Sequence, residues 1–68
     1  MKTIFYKLIG YIALTHDSGI ILLINKRAIM RYERYSNMYL KNTKTRLYYL
    51  DGHFENIQES ESEINKRI

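Results

Sequence analysis

Thr45-Arg-Leu-Tyr-Tyr-Leu-Asp-Gly-His-Phe-Glu-Asn-Ile-Gln-Glu-Ser-Glu-Ser-Glu-Ile64 reads, in order, as a strand, a turn, a second strand and a capped helix. Thr45–Leu50 and His53–Ile57 are rich in β-branched and aromatic residues and flank Asp51-Gly52. An Asp-Gly pair between such runs is the strongest short-range hairpin signal, because a type I′ turn needs positive φ at both central residues. That turn pairs Leu50 with His53, Tyr49 with Phe54 and Leu47 with Asn56. It gathers Leu47, Tyr49 and Phe54 on one face, which we assign to the core. Ser60-Glu-Ser-Glu63 then matches a capping box, in which the Ser60 hydroxyl and the Glu63 carboxylate each accept from the other residue's backbone N–H. Glu61 and Glu63 sit at the positive end of the helix dipole, and Lys66 and Arg67 at its negative end. Ile64 and Ile68, spaced i and i+4, give the helix one apolar edge. A helix this short is unstable alone and must dock.

Upstream, residues 3–15 form a long apolar stretch that reads as a strand, with Ile4, Tyr6, Leu8 and Ile12 on one side and Phe5, Ile9, Tyr11 and Ala13 on the other. His16-Asp-Ser-Gly19 is a turn by composition. Ile20–Ile24 is a continuous apolar run and reads as a largely buried strand. Asn25 is placed to cap a short helical turn before the chain re-enters a strand at Ile29. Within 29–34, Ile29, Arg31 and Glu33 point one way, and Met30, Tyr32 and Arg34 the other. A second turn falls in Tyr35-Ser-Asn-Met38, and Tyr39–Thr43 reads equally as strand or loop.

The chain of 68 residues is then a single small β-rich domain over 1–68: a hairpin over 3–24, strands over 29–34 and 45–57 with the Asp51-Gly52 turn, and a helix over 61–67. The fold class is α+β, mainly β: a small curved antiparallel sheet of four to five strands with one short C-terminal helix. A chain of this size buries only about 60% of its unfolded surface, so its core is marginal. With no cysteine, a disulfide or thiolate staple is excluded, which leaves association with a partner subunit as the supplement. The missing cysteines also suit a reducing cytoplasm. Neither apolar run reaches the roughly 20 residues of a spanning helix, so we expect no membrane insertion. Lys7 interrupts the first run and no small-x-small site follows, which speaks against export.

The net charge of +4 is unevenly spread. Residues 1–50 carry nine Lys/Arg against Asp17 and Glu33, whereas 51–68 carry five carboxylates against Lys66 and Arg67. Such a division attracts an acidic partner or a second copy. Between 26 and 49, Lys and Arg alternate with Tyr32, Tyr35, Tyr39, Tyr48 and Tyr49. Basic groups neutralise phosphates, and exposed tyrosines stack on bases. The same composition also suits half-buried strands with charged edges. We expect any binding surface to use Arg31, Arg34, Tyr35, Tyr39, Lys44 and Arg46. Leu47, Tyr49, Phe54, Ile64 and Ile24 are expected to be structural.

His16-Asp17 and Asp51-x-His53 place each imidazole beside a carboxylate. Only Ser18 is a nearby hydroxyl, and no motif supplies a nucleophile with an oxyanion donor. If both turns lay at one end of the sheet, the pairs could share a metal, but their spacing matches no zinc pattern. Gly10, Gly19 and Gly52 are too far apart for a phosphate loop. We therefore expect no enzyme, no cofactor and no metal.

Leu14-Thr15, Gly19, Leu23-Ile24-Asn25, Ile29-Met-Arg-Tyr-Glu33, Leu50-Asp51-Gly52 and Glu59-Ser60-Glu61-Ser62-Glu63-Ile64 together resemble the short FlbD-like, swarming-motility proteins of bacterial flagellar operons. The resemblance covers residues 13–68. It departs in the extra residues 1–12 and in the basic, aromatic stretch Tyr35–Thr43. It implies a small non-enzymatic cytoplasmic protein. Ile29-Met-Arg-Tyr-Glu33 with Asn37 also resembles part of LytTR-type DNA-binding domains, without their basic C-terminal portion. The resulting expectation is a regulatory module that binds another protein and forms a homo-oligomer, a dimer; the alternative is a nucleic-acid-binding regulator using a basic, Tyr-rich sheet surface.

Overall fold

The computed structural model describes residues 10–68. The strands are β1 (Tyr11–Thr15), β2 (Ile21–Asn25), β3 (Ile29–Arg34), β4 (Thr45–Tyr49) and β5 (Phe54–Ile57), and the helix α1 spans Glu61–Arg67. The protein is mainly β with one short C-terminal helix. The strands form two antiparallel sheets rather than one curved sheet, β1–β2 and β3–β4–β5. The break has a local cause. Asn25 leaves β2 and accepts from the Arg27 backbone N–H, starting a turn of 3-10 helix over Lys26–Ala28. That turn carries the chain away from β2 before β3 begins. Among the described residues the sheets meet at one isolated bridge, His16 with Ile57. The strand expected over 3–15 is seen from Tyr11; its first part, with Ile4, Phe5, Tyr6, Leu8 and Ile9, lies outside the described residues.

Both hairpins turn in the same way, and not by the expected type I′ link. Gly19 N–H donates to His16 O and His16 N–H to Ile20 O; likewise Gly52 N–H donates to Tyr49 O and Tyr49 N–H to His53 O. Each is a three-residue loop closed by a left-handed glycine, with φ +96° at both Gly19 and Gly52. Among the described residues no side-chain-bearing residue has positive φ, so Asp51 cannot take part in a type I′ turn.

The longer loop moves the β4–β5 register by one residue. Tyr48 faces Phe54, Leu47 faces Glu55, Arg46 faces Asn56 and Thr45 faces Ile57. A one-residue shift transfers side chains to the opposite face. Phe54, expected in the core, is therefore 47% exposed, and Ile57 is fully buried. A second irregularity acts on β3. The register shifts between Ile29, opposite Tyr49, and Arg31, opposite Tyr48, so Met30 is bulged out. Ile29 thus joins Tyr32 against the core, not Arg31 and Glu33 as simple alternation predicts.

The core is Ile12, Leu14, Ile24, Leu47, Ile57 and Ile64, with Leu22, Ile29, Tyr32 and Tyr49 packed around it. Ile20, Ile21 and Leu23 are exposed, so the β2 run is buried on one face only. Helix α1 contributes Ile64, while Ile68 stays largely in water. The expected capping box is present: Glu63 N–H donates to Ser60 Oγ, and Ser60 N–H to a Glu63 carboxylate oxygen. Tyr32 Oη donates to Asn65 Oδ1, tying α1 to the same face of β3. Residues between β3 and β4 form a loop with successive turns, Leu40 N–H to Asn37 O and Thr43 N–H to Leu40 O.

Polar side chains join what the two sheets leave separate. Glu59 accepts from Thr15 N–H at 2.7 Å and from Thr15 Oγ1 at 2.8 Å, and pairs with Arg67 at 3.1 Å. Arg67 also donates to Ala13 O. Burial alone would raise the Glu59 carboxyl, but the Thr15 N–H and hydroxyl and the Arg67 guanidinium outweigh it and hold its pKa below the ordinary value. Thr45, fully buried, donates to Glu59 O, and Thr43 donates to Asp17 Oδ1.

Leu47→Ala should destabilise by about 2–5 kcal/mol, the cost of a buried leucine. Phe54→Ala should cost about 1–2 kcal/mol, the loss of one cation–ring contact and one ring pair at a half-exposed site. Urea unfolding distinguishes this from the two-residue register, under which both losses would be large. The depressed Glu59 pKa has a defined sign: the unfolded state holds the proton more tightly, so stability rises with pH across this interval. The contribution is complete above the unfolded value of about 4.3 and is lost as pH falls through the lower folded value. Glu59→Gln should flatten this acid limb of the unfolding midpoint against pH.

Candidate functional site

The face of β3–β4–β5 turned away from the core carries Arg31 and Glu33 from β3, Arg46 and Tyr48 from β4, and Phe54 and Asn56 from β5. Strand alternation sends Leu47 and Thr45 inward and their neighbours outward. Cross-strand pairing then sets Arg31 beside Tyr48, and Arg46 beside Glu33 and Asn56. Tyr35, just past β3, hydrogen-bonds through its N–H to Lys44 O and thereby follows the edge of β4.

On this face the cations lie over aromatic rings. The Arg31 guanidinium carbon is 4.1 Å from the Tyr48 ring centroid. That of Arg46 lies 3.8 Å from the Tyr35 centroid and 4.2 Å from that of Phe54. Tyr48 and Phe54 sit 6.1 Å apart with a 51° interplanar angle. Arg46 Nε donates to Asn56 Oδ1 at 3.0 Å, and Arg31 pairs with Glu33 at 2.9 Å. Each cation–ring contact is worth roughly 0.5–1 kcal/mol at an exposed site. Together they hold flexible cations in place, which lowers the entropy lost when a ligand arrives.

Of the six residues expected to form a surface, Arg31, Tyr35 and Arg46 come together here. Arg34 and Lys44 lie elsewhere. With Tyr35, Ser36, Thr43, Ser60, Glu61 and Ser62 they line an open cleft of about 510 Å³ beside the start of α1. Tyr39 stands in the β3–β4 loop, 85% exposed. Sequence reasoning missed Phe54 and Asn56 as members of the face, and did not select Tyr48. The signal that could have found them was Gly52 read as the end of a three-residue loop.

The imidazoles occupy loop positions at opposite ends of β5. His16 bridges to Ile57 at its C-terminal end, and His53 precedes Phe54 at its start. The premise that both turns share one end of the sheet is thus overturned. His16 Nδ1 bonds Ser18 within its own turn. Asp51 accepts from the His53 N–H and pairs with its ring at 2.9 Å. The hydrogen bonds from the His53 backbone and ring lower the Asp51 pKa; the Asp51 side chain raises that of His53. Asp17, the other neighbouring carboxylate, accepts from Thr43. Among the described residues no three or more His, Asp or Glu side chains are grouped to hold a metal ion. Among them, too, no helix is long and apolar enough to cross a membrane.

No family model, curated protein or solved structure matches the chain.

Arg46→Ala should lower stability by about 1–2 kcal/mol, because it removes two ring contacts and a hydrogen bond. Arg31→Ala, with one ring contact and a surface ion pair, should cost about half as much or less. Chemical denaturation of the two variants measures the difference.

Proposed function

We propose that the protein is a non-catalytic, FlbD-like interaction module that works by binding another protein and that pairs with a second copy of itself. The observation that carries this reading is the outward face of β1–β2. There Tyr11 faces Asn25, Ala13 faces Leu23 and Thr15 faces Ile21. Ile21 and Leu23 are each 62% exposed, Ile20 63% and Tyr11 42%. Glu59 and Arg67 border the Thr15 end of this face, giving an apolar patch with a charged rim. Adjoining large apolar side chains in water mark a contact surface, since a lone exposed residue would need no explanation. A small core without disulfides gains most from such a contact.

A non-catalytic reading is supported by the placement of both imidazoles in exposed turns, His16 against Ser18 and His53 against Asp51 of the same turn. A cytoplasmic setting is supported by the lack of cysteine.

Leu23→Lys changes the patch and nothing in the core. In sedimentation velocity, the wild type should shift from monomer to dimer as concentration rises, and Leu23→Lys should remain monomeric with an unchanged circular dichroism spectrum. Used as baits in a lysate of the native host, the wild type should retain a partner that Leu23→Lys loses. A wild type that stays monomeric at high concentration removes the dimer; equal recovery by both baits removes the protein-binding surface.

A further inference from the structure

We infer that the β3–β4–β5 face, separate from the apolar patch on β1–β2, binds single-stranded nucleic acid, with bases stacked on Phe54 and Tyr48 and phosphates held by Arg31 and Arg46.

The sheet segregates charge. Along β5, Asn56 and Phe54 point outward, while Glu55 lies opposite Leu47 on the inner face. The carboxylates Glu61 and Glu63 belong to α1, which packs on that inner face through Ile64 and the Tyr32–Asn65 bond. Glu33 is the acidic group from these strands on the outer face, and Arg31 pairs with it. Two guanidiniums therefore face outward among rings, with the other β5 and helix carboxylates behind them.

Ring geometry selects the strand form. The Tyr48 and Phe54 centroids are 6.1 Å apart. Successive bases in a duplex rise by about 3.4 Å. Neighbouring bases that use both rings must be unstacked from each other, which a single strand permits and a duplex resists. Phe54 is 47% exposed, so part of its ring remains open to a base beside the Arg46 guanidinium, 4.2 Å from its centroid. Arg46, held between the Tyr35 and Phe54 rings, keeps its guanidinium at one place on the sheet, beside the phosphate path that stacked bases would define.

Fluorescence anisotropy with labelled oligo(U) and oligo(dT) of about ten nucleotides tests the proposal; that length lies within the usual site size of a small β domain. Binding is expected at low salt, with log K falling against log salt at a slope of about −1.4 for two phosphates. Phe54→Leu should weaken binding about tenfold without changing the slope. Arg31→Gln should reduce the slope by about 0.7. Glu33→Gln, which frees Arg31, should tighten binding several-fold, an effect a purely structural Arg31–Glu33 pair does not produce. Thermal melts of each variant separate lost binding from lost folding, and Glu33→Gln remains informative because it predicts a gain. The proposal is overturned by no binding at low salt, by equal affinity for a duplex of the same length or for polyglutamate, or by Phe54→Leu binding as the wild type does. Capture of an acidic protein on this face, lost in Phe54→Leu while oligonucleotides go unbound, also overturns it.

Discussion

Two glycines in the left-handed region govern the rest of the structure. Gly19 and Gly52 share φ +96° and each ends a three-residue loop. A side chain at either φ would be strained, even though open space surrounds both positions. Loop length sets strand register, and register sets which side chains are buried. At Gly52 the consequence is large. Leu47 and Ile57 take the core, and Phe54 goes to the surface beside Arg46. A loop one residue shorter would have placed Phe54 inside and dismantled the ring-and-cation array.

Register alone does not join the two sheets. Among the described residues, backbone pairing between them is limited to the neighbourhood of the His16–Ile57 bridge, where Asp17 N–H donates to Asn56 O and Gln58 N–H to Thr15 O. The remaining attachment runs through side chains. Glu59 reaches Thr15 and Arg67, Thr45 reaches the Glu59 carbonyl, and Asp17 holds Thr43. These bonds cluster around the small apolar core and satisfy its buried polar atoms; among the described residues none of those side-chain atoms lacks a partner. In a domain this small, such bonds decide orientation between units that hydrophobic burial alone would leave free to slide.

The same arrangement leaves two unlike surfaces. The outward side of β1–β2 is apolar because its run of isoleucine and leucine is buried on one face only. The outward side of β3–β4–β5 is cationic and aromatic because alternation and the Met30 bulge direct Arg31, Arg46, Tyr48 and Phe54 to it. Arg34, Lys44 and Tyr39, similar in composition to that set, fall at the cleft or in the loop. Composition alone cannot separate these groups, since basic and aromatic residues occur throughout the middle of the chain.

Local chemistry in the sequence determined the elements and their caps. Ser60 and Glu63 started α1 where they stand, Asn25 began the 3-10 turn, and residues 29–34 and 45–57 formed strands around a glycine turn. These signals act over a few residues, so they are readable without a partner strand. The tertiary structure decided the loop length at Gly52, the bulge at Met30 and the division into two sheets, and with them the exposure of Phe54 and the pairing of Arg46 with Tyr35. Each of these depends on which cross-strand contacts bury the most apolar surface, a comparison between distant segments that no local pattern contains.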